Sequence, residues 1–264
     1  MTRRGWLAAL IAGFGAGLAG GLFGVGGGIV LVPVLTGFFG LTQHEAHGTS
    51  LAAVGATAIS GAVVYALAGH VAWVPAGVMA LASVFTSRLG ARLAARTSRR
   101  ALMTAFGLFL LAVAVRILLR APAGSAQLAA GHTLAGAWGV VAALAVGAAA
   151  GLLAGYMGVG GGVIAVPALT LLFGLSQQTA QGTSLALILV TAPFGAVEHA
   201  RHGNVARDVL PGLLIGALFG APIASILAQR MPQATLARAF AIFLIANGLR
   251  LTWSAFRPAP AARA

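Results

Sequence analysis

The chain contains neither cysteine nor lysine among its 264 residues. Without cysteine it can form no disulfide and no thiolate metal site, and it has no thiol for catalysis. Without lysine it cannot contain the phosphate-binding loop in which a lysine reaches the nucleotide phosphates. We therefore predict no built-in ATPase, and we expect no cofactor. We also expect no metal centre, because the local cluster of His44, Glu45 and His47 supplies too few ligands.

Charge is also scarce, and it is almost all of one sign. Only 7% of the residues are charged, where a soluble domain carries roughly 25%, and 59% are hydrophobic. With a mean hydropathy of +0.98, the chain cannot cover a water-facing surface, so the lipid bilayer must be its main solvent. The formal charge of +13 comes from arginines at the ends of apolar runs. It therefore indicates lipid headgroups and an anionic substrate rather than nucleic acid.

A block of sequence occurs twice. Residues 24–51 recur at 158–185, a constant offset of 134, and 18 of the 28 positions are identical. The same offset relates Phe106 to Phe240, beyond the block. One unit has therefore been duplicated, and in so apolar a chain this indicates a transporter built from internal repeats.

Each repeat contains about five hydrophobic segments, which predicts an all-α polytopic membrane protein. They cover 5–23, 28–40, 46–69, 73–95 and 101–119, then 133–156, 162–174, 180–200, 209–228 and 235–255. The second segment of each repeat is shorter than the roughly 20 residues that span a bilayer, and it contains Pro33 or Pro167. Short interrupted segments at matching positions predict broken or re-entrant helices at a transport site. The alternative is a pair of kinked helices without a ligand role.

The arginines predict that the two repeats are inverted with respect to each other. Equivalent loops have opposite charge bias: four arginines lie near 92–100 but one near 226–234, and none lies in 67–73 but two in 201–207. The positive-inside rule then places both termini in the cytoplasm. We divide the chain into a first transmembrane repeat (1–120), a linker (121–132), a second repeat (133–256) and a disordered tail (257–264).

The glycine runs that open the short segments are the sharpest local signal. They contain Gly26, Gly27 and Gly28 in one repeat, and Gly160, Gly161 and Gly162 in the other. Glycine lets backbone N–H groups converge on a ligand, and a helix N-terminus that follows suits an anion. The alternative interpretation is close packing of helices through small residues.

Polar residues follow each short segment at matching positions. Their hydroxyls and amides can cap a helix or donate to the oxygens of a substrate, and the sequence leaves both roles open. These residues are Gln43, Thr49 and Ser50 in the first repeat, and Gln177, Thr183 and Ser184 in the second.

The duplicated block departs from symmetry at three titratable residues. His44, Glu45 and His47 stand where the second copy has glutamine, threonine and glutamine. They are interpreted either as a proton relay or as part of a solvated loop. Glu198 and His199 are interpreted either as a proton-coupling pair or as interfacial groups paired with the nearby arginine.

The paired motifs GVGGGIVLVPVL and GVGGGVIAVPAL, each followed by Gly-Thr-Ser-Leu, resemble the TauE/SafE sulfite exporter family, also called TSUP. The resemblance covers nearly the whole chain. It implies a multi-pass protein of the bacterial inner membrane that moves sulfite, thiosulfate or an organosulfonate. It further implies a pathway lined by Gly26–Gly28, Pro33, Thr49, Ser50 and their partners Gly160–Gly162, Pro167, Thr183 and Ser184.

The sequence therefore predicts a permease rather than an enzyme. Coupling of transport to protons is part of this hypothesis. An anion channel is the main alternative. A membrane-embedded hydrolase and a scaffold subunit are weaker alternatives, and no Gly-x-Ser-x-Gly nucleophile motif is present.

Overall fold

In a computed structural model of the chain, residues 3–93, 99–119 and 136–256 are described. All the secondary structure in these residues is helical. The helices are α1 (Arg3–Phe23), α2 (Gly28–Gly37), α3 (Gln43–Leu67), α4 (Trp73–Leu93), α5 (Arg99–Leu119), α6 (Gly136–Met157), α7 (Gly162–Leu171), α8 (Gln177–Arg201), α9 (Leu210–Arg230) and α10 (Gln233–Phe256). The predicted linker and the predicted tail both lie outside the described residues.

The chain leaves the helical conformation where the glycine runs predicted a break. Helix α1 ends at Phe23, and α2 begins five residues later; α6 and α7 are separated in the same way. Gly24 and Gly158 follow the two helix ends with φ of 70° and 64°. Only glycine adopts this left-handed conformation freely, so these residues terminate α1 and α6.

The long helices α3 and α8 begin earlier than the hydrophobic pattern indicated. We predicted starts at 46 and 180, whereas the helices begin at Gln43 and Gln177. Thr42 and Ser176 cap them, accepting hydrogen bonds from the backbone N–H of Glu45 and Thr179. Capping residues are polar, so they draw polar residues into the first helical turn, where hydropathy does not detect them. The short helices also end earlier, at 37 and 171 instead of 40 and 174.

Helices of one repeat pack against helices of the other through glycines. Along α1 and α9 the contacts are Gly13 with Leu213, Gly17 with Ala217 and Gly21 with Ala221. Along α6 and α4, Gly147 lies against Met79 and Gly151 against Ser83. Each of these two contacts is an α1–α9 contact shifted by 134 residues with the repeats exchanged. Both helix pairs are therefore parallel and equivalent, as small residues at helix interfaces allow.

The equivalent helices α3 and α8 run in opposite directions. Gly48 lies against His199, Gly55 against Ala192, and Gly61 against Leu185, so positions advance along α3 as they retreat along α8. Equivalent helices become antiparallel when a two-fold axis lies across them, which is what inverted repeats require. The placement of the termini relative to a membrane stays a prediction.

The helices form two compact units, and each unit takes helices from both repeats. One contains α1 to α4 and α6 to α9, and the other contains α5 and α10. In the second unit, Gly107 of α5 lies against Gly248 and Thr252 of α10. The compact units therefore do not coincide with the sequence repeats. The predicted division of the chain at 121–132 describes the duplication and stays a prediction.

Six of the helices in the described residues are long and apolar enough to cross a membrane. The spans are Gly5–Phe23, Gln43–Leu67, Gly136–Met157, Gln177–Arg201, Leu210–Arg230 and Gln233–Phe256. Large apolar side chains also cover the surface; Leu67 and Trp138 are each 85% exposed. Such extensive apolar exposure is unfavourable in water and suits lipid. The predicted polytopic membrane protein is confirmed.

Candidate functional site

The two glycine runs meet each other inside the larger compact unit. Gly28, the first residue of α2, lies against Gly158 and Val159, while Gly162, the first residue of α7, lies against Gly24 and Val25. We call this contact between residues 24–28 and 158–162 the glycine crossing. It brings two helix N-termini, one from each repeat, against the opposite run.

The middle glycines of the runs share one apolar environment. Gly26 and Gly160, with φ of 77° and 78°, both lie against Val54 of α3 and Ile188 of α8. Val54 and Ile188 are themselves related by the offset of 134 and are fully or almost fully buried. The local two-fold relation therefore passes through the centre of the crossing.

Ser50 and Ser184 supply hydroxyl groups at the crossing, and both are fully buried. Ser184 Oγ donates to the carbonyl oxygen of Gly24 at 2.7 Å, across the repeats. Ser50 Oγ donates to the carbonyl oxygen of Gly28 at 3.5 Å, within its own repeat. The equivalent hydroxyls thus have different partners, and the bond of Ser50 is much the longer.

Thr49 and Thr183 are also buried, but each bonds to a loop of the other repeat. Thr49 Oγ1 accepts from the backbone N–H of Ala206 at 2.9 Å, and Thr183 Oγ1 accepts from that of Ala72, also at 2.9 Å. Residues 72 and 206 are equivalent positions in the loops α3–α4 and α8–α9. These hydroxyls therefore tie one repeat to the other in this structure.

The two predicted glutamines, Gln43 and Gln177, are the first residues of α3 and α8. Gln43 Nε2 is 2.9 Å from Nε2 of His47, one turn along α3. Gln177 is 3% exposed, and its Nε2 has no hydrogen-bond partner in the described part of the chain. The equivalent of His47 is Gln181, whose Nε2 is buried and likewise has no partner there.

Of the remaining predicted residues, two glycines belong to the crossing and two prolines lie beyond it. Gly27 and Gly161 pack against Ala16 of α1 and Ala150 of α6, so they serve close helix packing. Pro33 and Pro167 lie inside α2 and α7. Each is five residues beyond its helix start, or about 7–8 Å along the axis.

The cluster His44, Glu45 and His47 is the first turn of α3 and not a loop. Glu45 completes a capping box, since its Oε2 accepts from the backbone N–H of Thr42 at 3.0 Å and from the Thr42 hydroxyl at 2.7 Å. The carboxylate therefore has a structural partner. In the last turn of α8, the carboxylate of Glu198 lies 3.9 Å from the guanidinium group of Arg201.

Two buried residues that the sequence analysis did not single out as a pair occupy equivalent places. Tyr65 Oη lies 3.0 Å from the carbonyl oxygen of Gly21, and His199 Nε2 lies 3.3 Å from that of Gly155. Both positions and both partners are related by 134. Alignment of the repeats beyond the conserved block would have revealed this Tyr/His exchange.

Comparison with known proteins now identifies the family. The family model described as "Sulfite exporter TauE/SafE" matches residues 8–251, which is most of the chain and includes both glycine runs. The chain belongs to the TauE/SafE sulfite exporter family. It is therefore a multi-pass membrane transporter and not an enzyme, as the motifs predicted, and the predicted inner-membrane location fits its bacterial relatives.

Curated relatives agree in class and in length. A "Probable membrane transporter protein" of Xylella fastidiosa (strain 9a5c) is 29% identical over 256 residues, covering 96% of this chain and 97% of the relative. YunE of Bacillus subtilis, with the same description, is 28% identical, covering 92% and 96%. YdhB of that species is 29% identical, covering 89% and 95%. No solved structure matches the chain.

Proposed function

We propose that this chain is a secondary transporter that carries a small sulfur oxyanion or organosulfonate, such as sulfite or thiosulfate, across the cell membrane. The observation that carries the proposal is the glycine crossing, where helices α2 and α7 begin against each other's glycine run. The description of the family as sulfite exporters supports the same substrate class.

Electrostatics at the crossing favours an anion. Each helix N-terminus has a partial positive charge, because its first N–H groups lack intrahelical partners. The chain has only three acidic residues, and none is at the crossing. Glu45 caps α3, Glu198 pairs with Arg201, and Asp208 is exposed before α9. The ligand that complements two converging N-termini is therefore a mobile anion.

Neutral donors suit a substrate that must also leave. Ser50 and Ser184 bring hydroxyls to the crossing, and a rotated hydroxyl can donate to a substrate oxygen instead of a carbonyl. Hydrogen bonds from neutral groups hold an anion less tightly than a buried arginine, whose charge would need full compensation on release. This balance supports turnover of a singly or doubly charged oxyanion.

A carrier fits the packing better than a channel. Val54 and Ile188 close over Gly26 and Gly160 from the two repeats, and Val25 is fully buried. Passage of an anion through this point requires the repeats to move. Alternating exposure through movement of one repeat against the other is the behaviour expected of inverted-repeat transporters.

Protons are the coupling ion that the chain supports best. His199 is 5% exposed, and histidine is the side chain whose ordinary titration falls near neutral pH. Its bond to Gly155 places it next to the end of α6, just before the second glycine run. A change of charge there would alter how α6 and α8 meet.

Transport in liposomes tests the proposal. We expect saturable uptake of radiolabelled thiosulfate that is accelerated by unlabelled thiosulfate or sulfite inside the vesicle. A channel would give uptake without such counterflow. Failure of sulfite, thiosulfate and sulfoacetate alike to be bound or carried would overturn the proposed function.

Variants at the crossing test the site. Ser184→Ala removes the donor at Gly24, and we expect KM for thiosulfate to rise while the folded protein persists. Ser60→Ala is the matched control, because the Ser60 hydroxyl bonds only to the carbonyl oxygen of Ala56 in its own helix. An equal change of KM in both variants would argue against a site at the crossing.

A further inference from the structure

Three buried amide groups point to a ligand at one end of the larger unit. Among the described residues, the buried side-chain nitrogen and oxygen atoms without a hydrogen-bond partner are Nε2 of Gln177, Gln181 and Gln229. We call these three side chains the amide cluster. Buried polar groups in folded proteins are almost always paired, so three amides left open call for a partner that the chain does not provide.

Gln181 is linked to three other helices through one network, and Gln177 precedes it on the same helix. Gln177 and Gln181 are one turn apart on α8, and residues four apart share a helix face. Tyr65 Oη donates to Gln181 Oε1 at 2.9 Å and contacts the carbonyl oxygen of Gly21 at 3.0 Å. Ser225 of α9 donates to the same carbonyl at 3.4 Å. Helices α1, α3, α8 and α9 therefore meet at this point.

Gln229 joins the network from the other side. It lies one turn beyond Ser225 on α9, and its Oε1 contacts Nδ1 of His70. The carbonyl oxygen of His70 in turn lies against Gly182, the residue after Gln181. The contacts thus form a closed ring of α8, α3, α9 and the loop after α3, which includes Gln181 and Gln229.

The first repeat satisfies the same positions internally. The equivalents of Gln177 and Gln181 are Gln43 and His47, whose side-chain nitrogens lie 2.9 Å apart. Both pairs occupy the first turn or two of equivalent helices. The backbone at the start of these equivalent helices therefore does not by itself leave an amide unpaired. Gln178 makes the same point, because its Nε2 donates to the carbonyl oxygen of Met231 at 3.1 Å.

We propose that the amide cluster is an oxyanion-binding station, where the substrate is held on its way to or from the glycine crossing. This inference rests on the proposed function. Amide N–H groups are neutral donors, and none of the three acidic side chains belongs to the ring. Gln177 is the first residue of α8, whereas Gln229 lies in the last turn of α9, so the two helix dipoles oppose each other here and the amide donors alone favour the anion. A sulfonate, sulfite or thiosulfate offers three oxygens as acceptors, and Gln177, Gln181 and Gln229 leave three amide donors open.

Binding of sodium thiosulfate to the purified full-length chain tests the station, with sodium chloride at equal ionic strength as reference. Gln181→Met and Gln177→Met remove a donor with little change of volume. We expect thiosulfate Kd to rise about tenfold or more, since a hydrogen bond to a charged group is lost. The ligand-free Gln177→Met variant should be as stable as before or more stable, because an unpaired buried group has gone. Gln181→Met also loses the hydrogen bond from Tyr65 Oη, so it should be less stable than Gln177→Met.

Gln178→Met is the matched control. It removes the amide that donates to Met231, so it should lower the melting temperature while thiosulfate Kd stays unchanged. Gln229→Met tests the cluster from α9 and serves if an α8 variant fails to fold.

The outcomes separate the two proposals. Wild-type binding that survives with unchanged Kd in the folded cluster variants overturns the station alone, and the crossing remains the site. A wild-type chain that neither binds nor carries any sulfur oxyanion overturns the proposed function and the station with it. Loss of binding in Gln178→Met as large as in the cluster variants also overturns the station, because it assigns the effect to the fold of α8.

Discussion

Helices α3 and α8 make equivalent contacts with backbone carbonyl groups near their C-terminal ends, but the side chains that make these contacts differ. At one end Tyr65 bonds to Gly21 and Gln181. At the other, His199 bonds to Gly155, and the equivalent of Gln181 is His47. Duplication has preserved where each side chain meets the backbone, while the side chains have diverged into a tyrosine–glutamine pair and two histidines.

The different side chains allow the two ends to behave differently as the pH changes. A tyrosine and an amide stay neutral across physiological pH, so one end can present constant donors. Imidazoles change charge near neutrality, so the other end can respond to protons. We infer that divergence at these positions lets the two ends respond differently to pH, while the substrate and ion gradients set the direction of net transport.

The largest expected effect tests whether the scaffold is as symmetric as its contacts. A methyl group at Gly13 would overlap the backbone carbonyl of Leu213, and one at Gly147 would overlap that of Met79. We expect Gly13→Ala and Gly147→Ala to destabilise the protein to a similar degree, each by ~1–3 kcal/mol. Thermal unfolding in detergent measures this.

Gly15→Ala is the control on the same helix, because nothing lies within 4 Å of a methyl group there. A large loss of stability in only one of the two repeats would contradict the symmetric scaffold.

The next effect concerns the ties between repeats. Thr183→Val should free the loop at Ala72, and Thr49→Val the loop at Ala206, since each leaves a backbone N–H without its acceptor at a cost of ~1–3 kcal/mol. The absence of cysteine allows single reporters at Val71→Cys and Val205→Cys. We expect maleimide labelling to accelerate about fivefold or more, at residue 71 for the first variant and at residue 205 for the second.

Thr36→Val and Thr170→Val are matched controls, because those hydroxyls bond to carbonyls of their own helices. If thiosulfate Kd weakens in the Thr49 and Thr183 variants while labelling is unchanged, these threonines are substrate ligands and not ties.

A smaller effect should distinguish the two ends. His199→Gln keeps a hydrogen-bonding side chain but cannot titrate, so the dependence of transport on pH between about 5 and 8 should flatten. Tyr65→Phe should change transport equally at all pH values. His44, His47 and His202, with Glu198, remain as neighbouring titratable groups. A pH profile that keeps its shape in His199→Gln would remove this residue from proton coupling.

The last prediction concerns the orientation of the two repeats in the membrane and uses variants that should have the smallest effect on transport. Trp73→Cys and Arg207→Cys replace equivalent exposed residues, and both variants should retain transport. In intact cells an impermeant maleimide should label residue 73 but not residue 207, as the arginine bias predicts. Labelling of both residues from the same side would refute inverted repeats.

Sequence alone determined the features that depend on composition and repetition. Scarcity of charge fixed the membrane environment, and the constant offset fixed the duplication. The runs ending at Gly28 and Gly162 fixed where helices break, because glycine adopts backbone conformations that other residues resist. The family also followed from these motifs. Helix starts at Gln43 and Gln177 were missed, since polar capping turns are invisible to hydropathy.

Tertiary structure decided which groups at equivalent positions meet. Nothing local shows that Thr49 bonds to Ala206, that Tyr65 reaches Gln181, or that α1 packs on α9 and not on its neighbours in sequence. These contacts join residues more than a hundred positions apart, and they exist only once the two repeats interlock. The physical reason is that the pattern along a helix specifies which face is apolar or small, whereas the partner of that face is selected by packing across the whole assembly.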